Sequence, residues 1–401
     1  MRNILCINGF LTIVIFAAGM FSGCSEESTE LNALVGSLPL SGLVVKDTTL
    51  VPLGSTLYRQ RIPINVGVNM VGHAGTYTAY SAISFYPSTF PTRDTALVYS
   101  ARLYLRFLTW VGDSTGRLSL TVHEILRGWG EAGVTWDTMQ TAFYNQSVVR
   151  GSYSVDASPD TQIVSISLDT AMVRPWFHTQ ASTDTRYGII LIPAPDCNII
   201  RGFNAFGYDS THFQPQLEII SGNTSGSNLD TVVYSSGMDT FAGTQDNFTP
   251  LPDRIYLQST VEYRSRLVFD VSSIPRGAII NSASLQLTRD PAASHFSRFT
   301  TDTSFELRAA LSRTDTNILD GISSAGKRAA GTTDNFTIDA RRPVQLWTHG
   351  TNYGLVVSPG ITSGITTFDL LTFYSERVSD PALRPKLKII YSVAQRQGGG
   401  S

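Results

Sequence analysis

The side chains able to do chemistry are thinly spread along this chain of 401 residues. Six histidines occur singly, 32 acidic residues are scattered through it, and the three cysteines lie at positions 6, 24 and 197. There is no His-Glu-x-x-His, no Gly-x-Ser-x-Gly, no Walker loop and no dinucleotide fingerprint. His123 and Glu124 are adjacent, but neighbouring side chains on a strand point to opposite faces and share no ligand. Function is argued from sites, and these residues assemble none for catalysis, so the sequence reads as a non-enzyme that requires no cofactor.

Two groups of residues suit binding instead. Arg102, Tyr104 and Arg106 alternate along one strand, which sets them on a single polar face at intervals of about 6.6 Å. A tyrosine platform between two guanidiniums can stack a sugar ring and fork the carboxylate of a uronic acid; the bland alternative is a solvated outer strand. Trp129, Glu131 and Trp136, with Thr135, form the densest motif. Indole faces can stack on pyranose C–H groups while Glu131 accepts sugar hydroxyls. Aromatics at such corners also wedge between sheets, with the carboxylate serving loop amides.

Two Gly-Thr-x-Asp-Asn-Phe-Thr phrases, at 243–249 and 331–337, read as turns, because Asp and Asn side chains bond their own local backbone. A calcium site needs six to eight oxygens, more than one such phrase supplies, which leaves a structural Ca2+ in either domain as an open expectation. Cys197 is one thiol with no Cys-x-x-Cys spacing, so it reads as a small buried residue.

The elements that must position these residues are strands. Ala101, Leu103, Leu105 and Phe107 alternate with Arg102, Tyr104 and Arg106. Leu118, Leu120 and Val122 alternate with Ser119, Thr121 and His123, and Leu267, Phe269 and Val271 with Arg266, Val268 and Asp270. Period two means one buried and one wet face, as in antiparallel sheets packed face to face. Helical periodicity is confined to short stretches around Val173–Trp176 and Val344–Trp347.

The strands occur twice. Residues 96–105 match 278–287 without a gap, Ile83 and Phe85 fall against Leu267 and Phe269, and Tyr187-Gly188-Ile189-Ile190 parallels Tyr353-Gly354-Leu355-Val356. Pro215-Gln216-Leu217-Glu218-Ile219-Ile220 closes the first copy as Pro385-Lys386-Leu387-Lys388-Ile389-Ile390 closes the second. Four landmarks in one order indicate a duplication. The Gly/Ser/Asn run around 222–228 reads as a linker. The expected organisation is a tether over 24–42, β-sandwich domains over 43–221 and 229–393, and a disordered tail over 394–401. The fold class is all-β: two tandem antiparallel sandwiches of jelly-roll type.

Composition removes several function classes. Only 15% of residues are charged and the net charge is −2, which supplies no electrostatic footprint for nucleic acid. The apolar stretch from Ile4 to Ala18 is too short and interrupted for a membrane span but suits a secretory signal over 1–23. Phe21-Ser22-Gly23-Cys24 resembles the bacterial lipoprotein signal, with Phe in place of the usual Leu. That resemblance implies lipidation of Cys24 and a membrane anchor. Ser25 after the cysteine implies the outer membrane of a Gram-negative cell, and Glu26-Glu27 resembles an acidic tag of surface-exposed lipoproteins. Without that export the protein faces the periplasm.

Residues 266–275 and 280–287 resemble the signature of bacterial DNRLRE-type domains, and Trp129-Gly130-Glu131 with Thr135-Trp136 resembles that family's Trp-x-Glu…Thr-Trp stretch. The second copy has only Ala310-Leu311-Ser312-Arg313-Thr314 in its place. The family is similar to carbohydrate-binding modules, so the resemblance implies a β-sandwich and, as partner, a polysaccharide, with an acidic one suggested by the arginines. The expected function is non-catalytic polysaccharide binding at the cell envelope. The alternatives are a structural or adhesive surface protein and an envelope hydrolase or lyase.

Overall fold

The computed structural model describes residues 42–394, apart from 60–66, 86–96, 132–133, 141, 159–162, 178–186, 207–212, 227, 262, 296–304, 316–317, 330 and 361–367. Cys24, the signal and tether (1–41) and the tail from 395 lie outside the described residues. The chain is nearly all β, with 55% strand and 8% helix, in antiparallel sheets. Residues 47–391 form one compact unit; the described residues beyond it, 42–46 and 392–394, are mainly strand ends.

The chain opens with β1 (Leu43–Leu50) and β2 (Gly54–Arg59). The first half then runs β3 (Val68–Ala74), β4 (Tyr77–Phe85), β5 (Leu97–Gly112), β6 (Arg117–Glu124), β7 (Gly151–Asp156), β8 (Ile163–Leu168), β9 (Ile189–Pro193), β10 (Ile199–Asn204), β11 (Gln216–Gly222) and β12 (Asp230–Gln245). The second half runs β13 (Arg254–Gln258), β14 (Tyr263–Val268), β15 (Ile279–Thr288), β16 (Phe305–Ala309), β17 (Ser324–Arg328), β18 (Asn335–Asp339), β19 (Leu355–Pro359), β20 (Leu370–Tyr374) and β21 (Lys386–Ala394). Among the described residues three short helices interrupt them: α1 (Trp136–Gln140), α2 (Thr170–Val173), continued by a tighter turn over Arg174–Phe177, and α3 (Arg341–His349).

The duplication read from sequence is a duplication of strand pairing. In the first half β3-β4-β9-β6-β7-β8-β5-β10 are neighbours in that order, and β10 returns to β3. In the second, β13-β14-β19-β16-β17-β18-β15 follow the same order; β20 pairs with β13, and an Arg289–Phe373 bridge joins it to the end of β15. Each strand corresponds to the one ten places later. Inward-facing side chains fill the rings: Leu103, Leu105, Leu118, Leu120, Ile166 and Leu191 in the first, and Leu267, Leu285, Leu287, Phe305, Phe336 and Phe373 in the second, all at most 2% exposed. Fully burying one such side chain contributes about 1.5–3 kcal/mol, so these layers dominate the stability of each half.

One landmark has a steric cause. Gly188 and Gly354 both take φ near +99°, and a Cβ there would lie 2.1 Å from the Ile83 carbonyl oxygen and 2.6 Å from that of Leu267. Only glycine lets β9 and β19 start that close to β4 and β14, which explains why Tyr-Gly-aliphatic-aliphatic occurs at the same place in both copies.

The boundary between the copies differs from the expectation. The stretch 222–228 belongs to a hairpin, because β11 and β12 pair across it from Ser221 opposite Asp230 to Gln216 opposite Ser235. Gly226 supplies a positive φ in the turn and Tyr99 Oη donates to the Asn223 carbonyl. β12 continues past a register shift at Ser236–Met238 and pairs with β4 as far as Gln245 opposite Tyr77. The first strand of the second repeat therefore completes the first half. Its counterparts are the N-terminal strands: β1 lies at the end of the order beside β21, and β2 pairs with β14 from Tyr263 opposite Arg59 to Val268 opposite Gly54. Buried Pro52 splits β1 from β2, since it has no N–H to continue a ladder. The two repeats have exchanged their leading strands.

An apolar cluster seals the halves together. Met70, Ala79, Ile200, Phe241, Val261 and Phe368 bury one another, and Tyr77 lies 5.1 Å from Phe368, ring centre to ring centre. Gln258 Nε2 donates to Tyr77 Oη at 3.1 Å, and Arg59 from β2 donates to the carbonyls of Gly243 and Val261, each at 2.9 Å.

Candidate functional site

The outward face of β5 carries the expected trio. Leu103 and Leu105 are at most 1% exposed, and the alternation turns Arg102, Tyr104 and Arg106 to the opposite side, with Arg102 exposed and the other two half-buried. β5 lies between β11 and β8, so the neighbours on this face are fixed by register. Arg102 is opposite Glu218 and Ser167, Tyr104 is opposite Gln216 and Ser165, and Arg106 is opposite Ile163. Tyr104 Oη donates to Glu218 Oε1 at 3.2 Å. The patch thus combines two guanidiniums, a phenol ring, an amide and two hydroxyls with one carboxylate.

Glu218 was visible in the sequence only as a polar position in the closing landmark; which strand it would join was not. Its charge offsets one guanidinium and leaves Arg106 facing an aliphatic neighbour. The corresponding face of the second half carries Ser284, Gln286 and Thr288 opposite Asp339, Thr337 and Asn335. Neither the arginines nor the tyrosine recur there.

Trp129, Glu131 and Trp136 lie elsewhere, in a cover over β4, β9 and the second part of β12. Their segment buries Val134, Met139, Phe143 and Tyr144 against Ala82, Ile190 and Ala242. Trp129 Nε1 donates to the Tyr187 carbonyl at 2.7 Å and its ring meets Phe143 edge-on, while Trp136 packs 4.6 Å from Tyr80. Both rings are half-buried. Their indoles act here as packing groups, which matches the wedge alternative rather than an open sugar platform. The site residues named from sequence therefore form two separate groups.

Among the described residues the second half shows no such cover, and an arginine takes its place. Ala82, beneath the aromatic cover, corresponds to Arg266. Arg266 donates to the Tyr353 carbonyl from Nε at 2.6 Å and from Nη2, and to the carbonyls of Arg313 and Ser312 at 2.8 and 3.1 Å. Where the first half packs rings on a small residue, the second satisfies loop carbonyls with a guanidinium.

Buried polar groups add detail. Asp239 on β12 is 2% exposed and accepts from the Phe206 N–H at 2.8 Å, yet burial pushes its carboxyl pKa up to about 7, with the negative charge of Glu131 acting in the same direction. Glu131 thus acts on a buried carboxyl of the framework. His123 is held by the carbonyls of Asn145 and Val148 through Nδ1 and by Thr121 Oγ1 through Nε2, a saturated structural histidine. Cys197 is buried, with its Sγ 3.3 Å from the Ile199 carbonyl oxygen.

The Asp-Asn phrases are turns: Asn247 takes a positive φ, and Asp334 accepts two bonds from Arg289. Among the described residues no group of three or more His, Cys, Asp and Glu side chains is placed to hold a metal ion. No helix among the described residues is long and apolar enough to cross a membrane. No protein-family model matches the chain, and no curated protein matches it significantly.

Proposed function

We propose that this chain is a non-catalytic cell-envelope lipoprotein that binds an acidic polysaccharide on the outward face of β5, β8 and β11. Residues 1–23 act as a lipoprotein signal, Cys24 carries the lipid, and the duplicated ring of strands is a tandem jelly-roll β-sandwich displayed at the outer membrane of a Gram-negative bacterium. The observation that supports binding is the placement of Arg102, Tyr104 and Arg106 on one solvent-facing strand, beside Gln216, Ser165 and Ser167. Guanidiniums fork carboxylates in a bidentate geometry that ammonium groups do not match, and a tyrosine ring between them offers a surface for sugar C–H groups. Glu218 orients the tyrosine and restrains the patch from binding anions indiscriminately. A shallow face of this kind gives weak single contacts, and several molecules anchored on one membrane gain avidity along a polymer.

Affinity electrophoresis in gels containing alginate or polygalacturonate tests this. The wild-type chain is retarded, and Arg102→Ala with Arg106→Ala removes the retardation while leaving the fold unchanged. Equal retardation of both proteins, or none of either, discards the site. A second reading, a load-bearing spacer or adhesive surface protein, is favoured by the exchanged leading strands and the apolar seal between the halves. It predicts no retention on any polysaccharide gel.

A further inference from the structure

The interior of the first half holds one arginine that its own packing does not require. Arg201 lies on β10, opposite Val71 on β3 and Trp110 on β5, and is 2% exposed. Its guanidinium carbon sits 4.0 Å from the centre of the Phe107 ring, and Nη2 donates to the Ser158 carbonyl oxygen at 3.0 Å. Nε has no hydrogen-bond partner among the described residues. No acidic side chain pairs with it among the described residues, and burial lowers its pKa, with the nearby Tyr153 hydroxyl as the one opposing influence.

The second half shows that the fold tolerates an apolar residue here. Phe203 is opposite Phe107, and Phe373 is bridged to the corresponding Arg289. Two residues earlier on each strand stand Arg201 and Leu371, the latter 5% exposed. A desolvated cation without a counter-ion destabilises a core relative to a leucine of similar reach. A face of Phe107 and one backbone carbonyl are weak substitutes for an anion. The guanidinium reaches the half-buried Ser158 through its carbonyl and interacts with the half-buried Tyr153, so it is within one side chain of partly exposed residues.

We propose that Arg201 anchors a binding site for a small organic carboxylate in the first half, with Phe107, Trp110 and Tyr153 as its walls. The ligand's carboxylate replaces the Ser158 carbonyl on Nη2 and takes up the free Nε–H, a two-point fork that the apo chain leaves half empty. A single guanidinium matches a monoanion, and aromatic walls match a flat body with apolar faces. This site is independent of the β5 outer face, since Arg102, Tyr104 and Arg106 lie on the opposite side of that strand from Phe107.

The test is a thermal-shift titration of the full chain with sodium benzoate against benzamide, sodium galacturonate against galactose, and inorganic phosphate, at constant ionic strength. At least one carboxylate is expected to raise the unfolding midpoint in a saturable way while its neutral counterpart does not. Arg201→Leu is expected to fold with a midpoint no lower than the apo wild type and to lose the ligand-dependent shift. Should that variant fail to fold, Arg201→Lys decides: it keeps the charge but loses the fork, and apparent affinity falls at least tenfold. The proposal is overturned if no carboxylate shifts the wild type, if neutral counterparts shift it equally, if phosphate alone does so, or if an Arg201 variant binds as the wild type does.

Discussion

Asp239 makes pH a direct probe of how the first half is built. Burial raises its pKa from an ordinary 3.8 to about 7 in the folded chain, although the Phe206 N–H favours the charged form. Between those two values the folded state keeps a proton that the unfolded state has released. Stability therefore falls as pH rises, starting near the unfolded pKa and ending above the folded one. At 1.36 kcal/mol per pH unit, the full loss is about 4 kcal/mol. Asp239→Asn keeps the shape and an acceptor for Phe206 but cannot ionise. Urea unfolding of both proteins from pH 4 to pH 9 should show equal stability at the acid end, with the variant ahead by about 4 kcal/mol at the alkaline end. Taking the difference at each pH cancels groups such as Asp320 and Asp334, which arginines hold below their ordinary pKa and which lose their contribution only in acid. Glu131→Gln, by removing a like charge, should shift the midpoint of that difference to lower pH. A difference that is flat across the range, or one that favours the wild type at high pH, refutes the burial argument.

Two further outcomes follow from the fold. Gly188→Ala should destabilise by about 3 kcal/mol or more in urea unfolding, because it adds a Cβ 2.1 Å from a carbonyl oxygen at a positive φ, whereas Gly130→Ala, with nothing within 4 Å, should be nearly neutral. A chain ending at residue 221 should aggregate, since it lacks β12 and leaves the edges of β4 and β11 unpaired, while one that continues through Gln245 keeps those pairings; size-exclusion chromatography and far-ultraviolet circular dichroism distinguish the two.

The strands and their repetition were legible because they depend on local pattern. Alternation around Leu103 and Leu267 identified strands and their faces, and the repeated landmarks predicted two copies of one set of strands. The exchange of leading strands was not legible. Gly, Ser and Asn between 222 and 228 serve a flexible linker and a hairpin turn equally well; what separates them is whether the flanking segments pair, and that is decided by edges far away in sequence. β2 and β14, some 200 residues apart, have no local signal of their partnership. Arg201 was hidden for a related reason. In Ile199-Ile200-Arg201-Gly202-Phe203 alternation alone leaves the burial of each face undecided, and a register irregularity at Gly202–Phe203 further obscures it. The same holds for Arg266, whose role depends on the carbonyls of a loop 46 residues away.

Duplication also separates framework from chemistry, because each half is an internal control for the other. Positions filled alike in both, such as Gly188 and Gly354 or Phe203 and Phe373, are those the ring of strands demands. Positions filled differently are free of that demand. On the outer face, Arg102, Tyr104 and Arg106 stand against Ser284, Gln286 and Thr288, and in the interior Arg201 stands against Leu371. Three arginines of the second half have acidic partners: Arg254 pairs with Asp290, Arg289 with Asp334 and Arg342 with Asp320, each at 2.6–2.7 Å. Those cations are committed to holding loops. In the first half Arg150 is committed in the same way, to Glu124 and Asp169, whereas no acid among the described residues answers Arg201. A scaffold that folds with leucine and serine at these places needs no arginine there for its own stability, so the first half is where anionic ligands should be sought.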